Sequence, residues 1–139
     1  MLLQLCCKLC CGSADHRLKE QRDAMVVVNS NGNVMWIPPA IYMSSCAIDI
    51  SNFPFDIQNC YMKFGSWTYD GFNLDVNFYE SKEEIDISDY IDSNEWNLVG
   101  HPAEKNVNYY TGLDAPWVDL KFYIQLKRVA IFYKYILVS

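Results

Sequence analysis

Hydrophobic and polar residues alternate near the C-terminal end of the chain, which predicts one long strand. From Val118 to Leu126, every second residue is apolar, and the residues between them are charged or polar. Five such alternations are typical of a strand with one buried face. We therefore expect this strand to form part of a hydrophobic core.

Shorter patterns predict further strands. Three valines precede Asn31-Gly32, a strong signal for a two-residue turn of type I′, so Met25–Ile37 is predicted to be a β-hairpin. Alternation and β-branched residues predict the remaining strands at residues 46–50, 60–69, 74–78 and 96–99. We expect the chain to bend at His101–Lys105 and to form a tip at Asn106–Asp114.

The number and spacing of these strands predict an all-β domain. Gly, Pro and Asn separate the strands at near-regular intervals, which is typical of a β-sandwich. The chain has 139 residues, of which 51% are hydrophobic, so it can form one domain with a sizeable core.

The composition argues against nucleic-acid binding and against catalysis. The formal net charge is −6, whereas nucleic acid requires a basic face. The only histidines are His16 and His101, and the sequence has no Gly-rich phosphate loop, zinc-binding helix motif or nucleophile elbow. We therefore expect no enzyme activity, no cofactor and no metal site.

The six cysteines fall into two groups. Cys46 and Cys60 stand alone in the body of the chain and indicate an oxidising compartment. If they bond, a structural disulfide that closes a loop of this length stabilises the fold by roughly 3 kcal/mol, because it restricts the unfolded chain. The other four lie within residues 1–24, which we expect to be a leader or an unrelated segment, with palmitoylation or metal binding as alternatives.

Aromatic residues at predicted strand ends and loop tips are the candidates for ligand chemistry. They are Trp67, Tyr69, Tyr109, Tyr110 and Trp117. Electron-rich ring faces attract a quaternary ammonium, with roughly 2 kcal/mol or more per face when water is excluded. Core packing is the alternative role, because aromatic side chains dominate hydrophobic cores.

The segment between the two body cysteines has a family resemblance. Phe53-Pro54-Phe55-Asp56, followed by Gln58-Asn59-Cys60, resembles the signature loop of the Cys-loop (pentameric ligand-gated) receptors. The run Met62–Gly71 is similar to the nicotinic acetylcholine receptor branch, and the resemblance covers about residues 25–133.

The resemblance implies a disulfide and domain boundaries. Cys46 is expected to bond to Cys60 within a partial ligand-binding domain over residues 25–128. That domain is expected to be an immunoglobulin-like β-sandwich that lacks the N-terminal strands of the family. Residues 129–139 are expected to be the truncated start of the first transmembrane helix.

The resemblance also implies a ligand-binding set. Trp67 takes the place of the family's main agonist-contacting tryptophan, and Trp117 takes the place of a tyrosine in the loop that caps the agonist. Either Tyr109 or Tyr110 corresponds to the first tyrosine of that loop. The two adjacent cysteines of the loop are absent, so a non-α subunit is implied.

Further positions are implied on the complementary ligand face and in the coupling region. Met35 and Ile37 occupy ligand-facing positions of the hairpin, with ordinary strand packing as an equal alternative. The run Phe53–Asp56 resembles the loop that contacts the transmembrane part. Arg128 resembles the arginine before the first membrane helix, which pairs with acidic residues and is expected to transmit gating.

The resemblance therefore implies the extracellular part of a nicotinic acetylcholine-gated cation channel subunit. Acetylcholine or a similar quaternary ammonium is the expected ligand, and other subunits of a pentamer are the expected partners. The expected location is the extracellular, postsynaptic face of the plasma membrane. Membrane contact is expected through C-terminal helices, which are expected to be missing here. The alternatives are a secreted acetylcholine-binding protein and a truncated, non-functional subunit that modulates assembly.

Overall fold

The computed structural model describes residues 25–37, 44–79 and 82–131, together with Tyr133 and Tyr135. The strands in these ranges are β1 (Val26–Val28), β2 (Val34–Trp36), β3 (Ile57–Gly65), β4 (Trp96–Gly100), β5 (Ala103–Tyr109) and β6 (Pro116–Arg128). The predicted all-β class is therefore confirmed. The predicted leader, residues 1–24, lies outside the described residues.

The C-terminal segment, residues 129–139, is described only in part, because residues 132, 134 and 136–139 lie outside the described set. Over the described residues, no helix combines the length and the hydrophobicity needed to cross a bilayer. The start of a transmembrane helix in this segment stays a prediction.

The predicted hairpin is confirmed, and it belongs to a compact unit separate from the larger sheet. β1 and β2 pair antiparallel from Val26 opposite Trp36 to Val28 opposite Val34. The predicted two-residue turn is wrong, because the β-turn starts at Asn29, whose carbonyl accepts the Gly32 N–H at 3.0 Å. The Asn29 N–H also donates to the Asn33 carbonyl at 2.9 Å, so the loop of the hairpin has three residues, 30–32. Gly32 takes the left-handed conformation that such a loop requires, at a φ of 87°.

The larger sheet is built around β6, the longest strand. β3 pairs antiparallel with β6 from Ile57 opposite Lys127 to Gly65 opposite Asp119. β4 and β5 also pair antiparallel with β6, at its C-terminal and N-terminal parts respectively. Because β3 occupies one edge of β6 over much of its length, β4 and β5 must lie in succession along the other edge.

A proline explains why β4 and β5 are two separate strands along the same edge of β6. Pro102 has no N–H to donate, so a continuous ladder cannot form there. Its carbonyl still accepts the Tyr123 N–H at 2.8 Å, which keeps the chain against β6. The predicted bend is therefore confined to His101-Pro102, and β5 begins at Ala103.

The apolar residues of β6 face one side of the sheet, as their alternation predicts. Leu120 is buried on that side. Phe122 packs edge-on against Phe64 and Phe78, with ring centroids 5.5 and 5.9 Å apart. Leu120 and Phe64 are register partners, so these side chains form one continuous apolar cluster on the sheet.

Two segments predicted to be strands are not strands, namely residues 46–50 and 74–78. Residues 74–78 are instead fastened by side chains. Lys105 Nζ donates to Asp75 Oδ1 at 2.7 Å and to Asn77 Oδ1 at 2.6 Å, while Phe78 packs on Phe122. The alternation there reflects one packed face, which does not require backbone pairing.

Two predicted boundaries are also displaced. The strand predicted at residues 60–69 begins earlier and ends at Gly65, because Ser66 Oγ accepts the Tyr69 N–H at 2.8 Å and turns the chain. The predicted tip at residues 106–114 is shorter, because β5 continues to Tyr109.

We expect Leu120→Ala to lower the free energy of unfolding by about 2–3 kcal/mol, because it removes buried methyl groups beside the phenylalanine cluster. The control, Val107→Ala, truncates an exposed β5 side chain and should cost about 1 kcal/mol or less. Urea unfolding followed by tryptophan fluorescence measures both. Equal losses in the two variants would contradict a core centred on this face.

Candidate functional site

A pocket of about 250 Å³ lies where β3 ends, β6 begins and the β5–β6 turn folds over both. Its lining residues are Lys63, Gly65, Ser66, Trp67, Tyr110, Leu113, Trp117, Val118 and Asp119. Of the predicted ligand-binding residues, Trp67, Tyr110 and Trp117 therefore meet at one pocket. Tyr109 does not line it, and its side chain is 72% exposed.

The aromatic residues of the pocket are held at different angles. The rings of Tyr110 and Trp117 meet edge to face, with centroids 6.5 Å apart and planes inclined by 71°. Trp67 lies two residues beyond the end of β3 and is mostly exposed. Aromatic side chains that line an opening are suited to a cation that carries apolar groups.

Glycines allow the backbone segments around the pocket to approach closely. A Cβ at Gly65 would lie 3.1 Å from the Val118 carbonyl oxygen, and one at Gly71 would lie 3.0 Å from the Pro116 carbonyl oxygen. The Gly71 N–H donates to that same Pro116 oxygen at 2.6 Å. The segment that carries Trp67 is therefore tied to the start of β6.

The turn between β5 and β6 forms the outer wall of the pocket. The Leu113 N–H donates to the Tyr110 carbonyl at 3.0 Å, and Gly112 takes a φ of 89° that suits glycine. This tight turn lies where the family has two adjacent cysteines, which this chain lacks at this position. Leu113 supplies an aliphatic wall there.

An ion pair forms the floor of the pocket. Lys63 Nζ lies 2.9 Å from Asp119 Oδ2, and the side-chain amides of Asn106 and Asn108 also donate to the Asp119 carboxylate. Burial lowers the pKa of Lys63, but hydrogen bonding and charge attraction from Asp119, with Tyr110, outweigh burial and raise that pKa above its usual value. Lys63 therefore stays charged at neutral pH, and its contact with Asp119 is an ion pair.

Lys63 and Asp119 were not among the predicted ligand-binding residues. The alternation along β6 assigns Asp119 to the polar side, but it cannot say what Asp119 meets. The β3–β6 register sets Asp119 opposite Gly65, two residues beyond Lys63. Only knowledge of this register could have identified the pair.

Met35 and Ile37 lie on or beside the hairpin, in the separate unit, and their side chains are exposed. Met35 is the register partner of Val27. Their contact with a ligand stays a prediction.

The predicted disulfide between Cys46 and Cys60 is present, with Cα atoms 5.4 Å apart. It closes a loop that contains Phe53-Pro54-Phe55-Asp56. Pro54 and Asp56 are buried, whereas Phe55 is 69% exposed at the tip. The loop therefore presents Phe55, and to a lesser extent Phe53, to its surroundings and turns its carboxylate inward.

The inward carboxylate of Asp56 pairs with Arg128, at the end of β6. Arg128 Nε donates to Asp56 Oδ1 at 2.7 Å and its Nη2 donates to Oδ2 at 3.0 Å, so the contact is bidentate. The Arg128 N–H also donates to the Asp56 carbonyl at 3.1 Å. Hydrogen bonds from Arg128 lower the pKa of Asp56 to about 2, and the Gln58 amide contributes in the same direction.

Aromatic rings surround the Arg128 guanidinium. Its Cζ lies 4.2 Å from the ring centroid of Trp96, 5.1 Å from that of Phe53 and 5.6 Å from that of Tyr133. Trp96 is the β4 register partner of Arg128. The sequence patterns did not indicate Trp96, because its approach to Arg128 depends on strand pairing.

The Asp56–Arg128 pair should make stability sensitive to acid. Because the pKa of Asp56 is lower in the folded chain than in the unfolded one, its stabilising effect is complete above about pH 4 and is lost as the pH falls towards 2. We expect Asp56→Asn to lower stability at neutral pH and to flatten its decline over that acid range.

Urea midpoints measured between pH 7 and pH 2 test this expectation. The control, Asp89→Asn, removes a carboxylate from an exposed segment and should keep the wild-type acid profile. An unchanged acid profile in Asp56→Asn would show that the pair does not couple protonation to folding.

Comparison with known proteins places these features in a family. The ligand-binding domain of neurotransmitter-gated ion channels matches residues 9–130. The chain is 41% identical over 128 residues to the acetylcholine receptor subunit alpha-like of Manduca sexta. The aligned region covers 87% of this chain and 25% of that protein. It is 45% identical over 114 residues to acetylcholine receptor subunit alpha-L1 of Schistocerca gregaria, covering 77% and 20%.

A third relative is acetylcholine receptor subunit beta-like 1 of Drosophila melanogaster, 40% identical over 121 residues, covering 87% of this chain and 23% of that protein. The chain thus spans about a quarter of the length of these relatives, or less. Since both alpha-like and beta-like subunits match, the non-α type stays a prediction.

The predicted relationship to nicotinic acetylcholine receptor subunits is confirmed by these similarities. The predicted fold class, the β-sandwich of such domains, is confirmed by the family match together with the strands. A match over residues 9–130 covers most of the sequence, so the chain belongs to the family of neurotransmitter-gated ion-channel ligand-binding domains.

Proposed function

We propose that this chain is the ligand-binding part of an acetylcholine-gated cation channel subunit. The observation that carries the proposal is the convergence of Trp67, Tyr110 and Trp117 on one pocket. That pocket lies at the start of β6, and the Arg128 pair lies at the end of the same strand. One continuous element therefore joins a cation-binding surface to a candidate coupling loop.

The chemistry of the pocket favours a quaternary ammonium ligand. Each ring face contributes roughly 2 kcal/mol towards a desolvated cation. The only carboxylate among the lining residues, Asp119, is already neutralised by Lys63. A quaternary ammonium has no N–H to donate and so requires no free acceptor, which suits a pocket whose carboxylate is already paired.

β6 provides a direct mechanical connection for coupling. Its 13 residues span roughly 40 Å at the usual rise per residue. Paired strands on both edges restrain it, so a displacement at Trp117 is passed along the strand to Arg128 and, through the bidentate contact, to Asp56. The exposed Phe55 then gives the disulfide loop an apolar tip that fits the membrane part of a channel.

The proposal includes partners and location. The ligand is acetylcholine or a similar quaternary ammonium, held between this pocket and the hairpin face of a neighbouring subunit that includes Met35 and Ile37. Five subunits surround one pore, with this domain on the extracellular, postsynaptic side of the plasma membrane. The chain acts by binding and gating and not by catalysis.

We expect Trp67→Ala to weaken binding of acetylcholine and of tetramethylammonium by about 30-fold, because it removes one cation-binding face worth roughly 2 kcal/mol. Isothermal titration calorimetry on the purified, disulfide-bonded chain, with its oligomeric state determined by light scattering, measures this. The control, Tyr69→Ala, removes an exposed aromatic side chain two residues away that does not line the pocket.

Equal affinity of the Trp67→Ala and Tyr69→Ala variants for these cations would show that the ligand does not bind at this pocket. Failure of the wild-type chain to bind either cation at millimolar concentration would overturn the proposal. Binding by a stable oligomer without any pore segment would favour a secreted binding protein of the same fold.

A further inference from the structure

Gln58 is a buried polar side chain on the apolar side of the sheet. It is only 2% exposed, and its β6 register partner is Leu126, so it points to the apolar side of the sheet. Cys60 is the next residue on that side of β3, and Met62 and Phe64 follow further along the strand. Burying a primary amide is unfavourable unless it is hydrogen-bonded, so the partners of Gln58 define its role.

The Gln58 side-chain amide hydrogen-bonds the backbone of Asp49, in the first part of the disulfide loop, in the way that a neighbouring strand would. Its Nε2 donates to the Asp49 carbonyl at 2.7 Å, and its Oε1 accepts the Asp49 N–H at 2.9 Å. Both backbone groups of Asp49 are therefore satisfied by one side chain. This explains how residues 46–50 stay in place without being a regular strand.

The same amide also contacts the coupling pair. Gln58 Nε2 donates to Asp56 Oδ2 at 2.5 Å. That oxygen also accepts from Arg128 Nη2 at 3.0 Å, so it lies between an amide and a guanidinium. With Asp56 only 3% exposed, these two donors fix the orientation of its carboxylate for the bidentate contact with Arg128.

We infer that Gln58 is a positioning residue of the coupling region, which joins the Asp49 segment of the disulfide loop to the Asp56–Arg128 pair. The loop and the end of β6 consequently move as one hydrogen-bonded body. The consequence for gating rests on the proposed channel function. The hydrogen-bonded arrangement itself does not, so the two can fail separately.

Two substitutions separate positioning from simple packing. Gln58→Met keeps the approximate shape and removes the amide contacts. Gln58→Glu is nearly isosteric and can still accept the Asp49 N–H, but it cannot donate to Asp56 and adds a like charge beside it. The matched control, Gln125→Glu, makes the same chemical change on β6, where the register partner is Asn59.

The readout is the titration of the Asp56 carboxyl, followed by carbon-13 NMR of the secreted, disulfide-bonded chain. We expect its pKa to rise by about one unit in Gln58→Met, a tenfold loss of preference for the ionised form, and by more in Gln58→Glu. Gln125→Glu should leave the Asp56 titration unchanged. A role limited to packing would alter stability without moving this titration.

A wild-type Asp56 titration in folded Gln58→Met or Gln58→Glu would overturn the inference. If Gln58→Met does not fold, the Gln58→Glu titration alone decides. Tetramethylammonium binding is measured in the same samples and should match that of the wild type, because Gln58 does not line the pocket. Absent binding in the wild type with a shifted Asp56 titration would reject the channel proposal and retain the positioning role.

Discussion

Pairing of both edges of β6 is the constraint on which the rest of the structure depends. β3 covers one edge, while β4 and β5 share the other, so the strand is held along its length. Because antiparallel partners share a face, this ladder sets the apolar residues together on one side of the sheet. It also sets the aromatic pocket at one end of the strand and the Arg128 pair at the other.

Two ion pairs with low exposure mark these ends, Lys63–Asp119 at the pocket and Asp56–Arg128 at the disulfide loop. A desolvated pair contributes little net stability, because removing its charges from water offsets their attraction. Losing one partner is costly, however, since the other charge remains without compensation. Such pairs therefore specify geometry more than they stabilise the fold, which suits sites that must hold side chains in fixed positions.

The surroundings of Arg128 combine several weak interactions into one well-defined position. The Asp56 carboxylate fixes the plane of the guanidinium, and the rings of Trp96, Phe53 and Tyr133 surround it. An arginine suits this position better than a lysine, since its planar group can make a bidentate contact and stack on rings together. The disulfide holds the other side of the loop, so both ends of the segment are anchored.

The amino-acid sequence by itself determined the features that depend on local pattern. The hairpin, the long strand β6 and the all-β class follow from β-branched runs, turn residues and period-2 alternation, and the motif around Phe53–Asp56 indicated the family and its disulfide. Only the tertiary structure decided which side chains meet. The pairing of Lys63 with Asp119 and the approach of Trp96 to Arg128 arise from strand register, which joins residues far apart in sequence. The bridging amide of Gln58 depends on how the disulfide loop folds back to bring Asp49 beside β3. Residues 74–78 show a limit of the sequence pattern, since they alternate but are not a strand. Alternation indicates that one face is packed, but it cannot show whether a neighbouring backbone is available to pair.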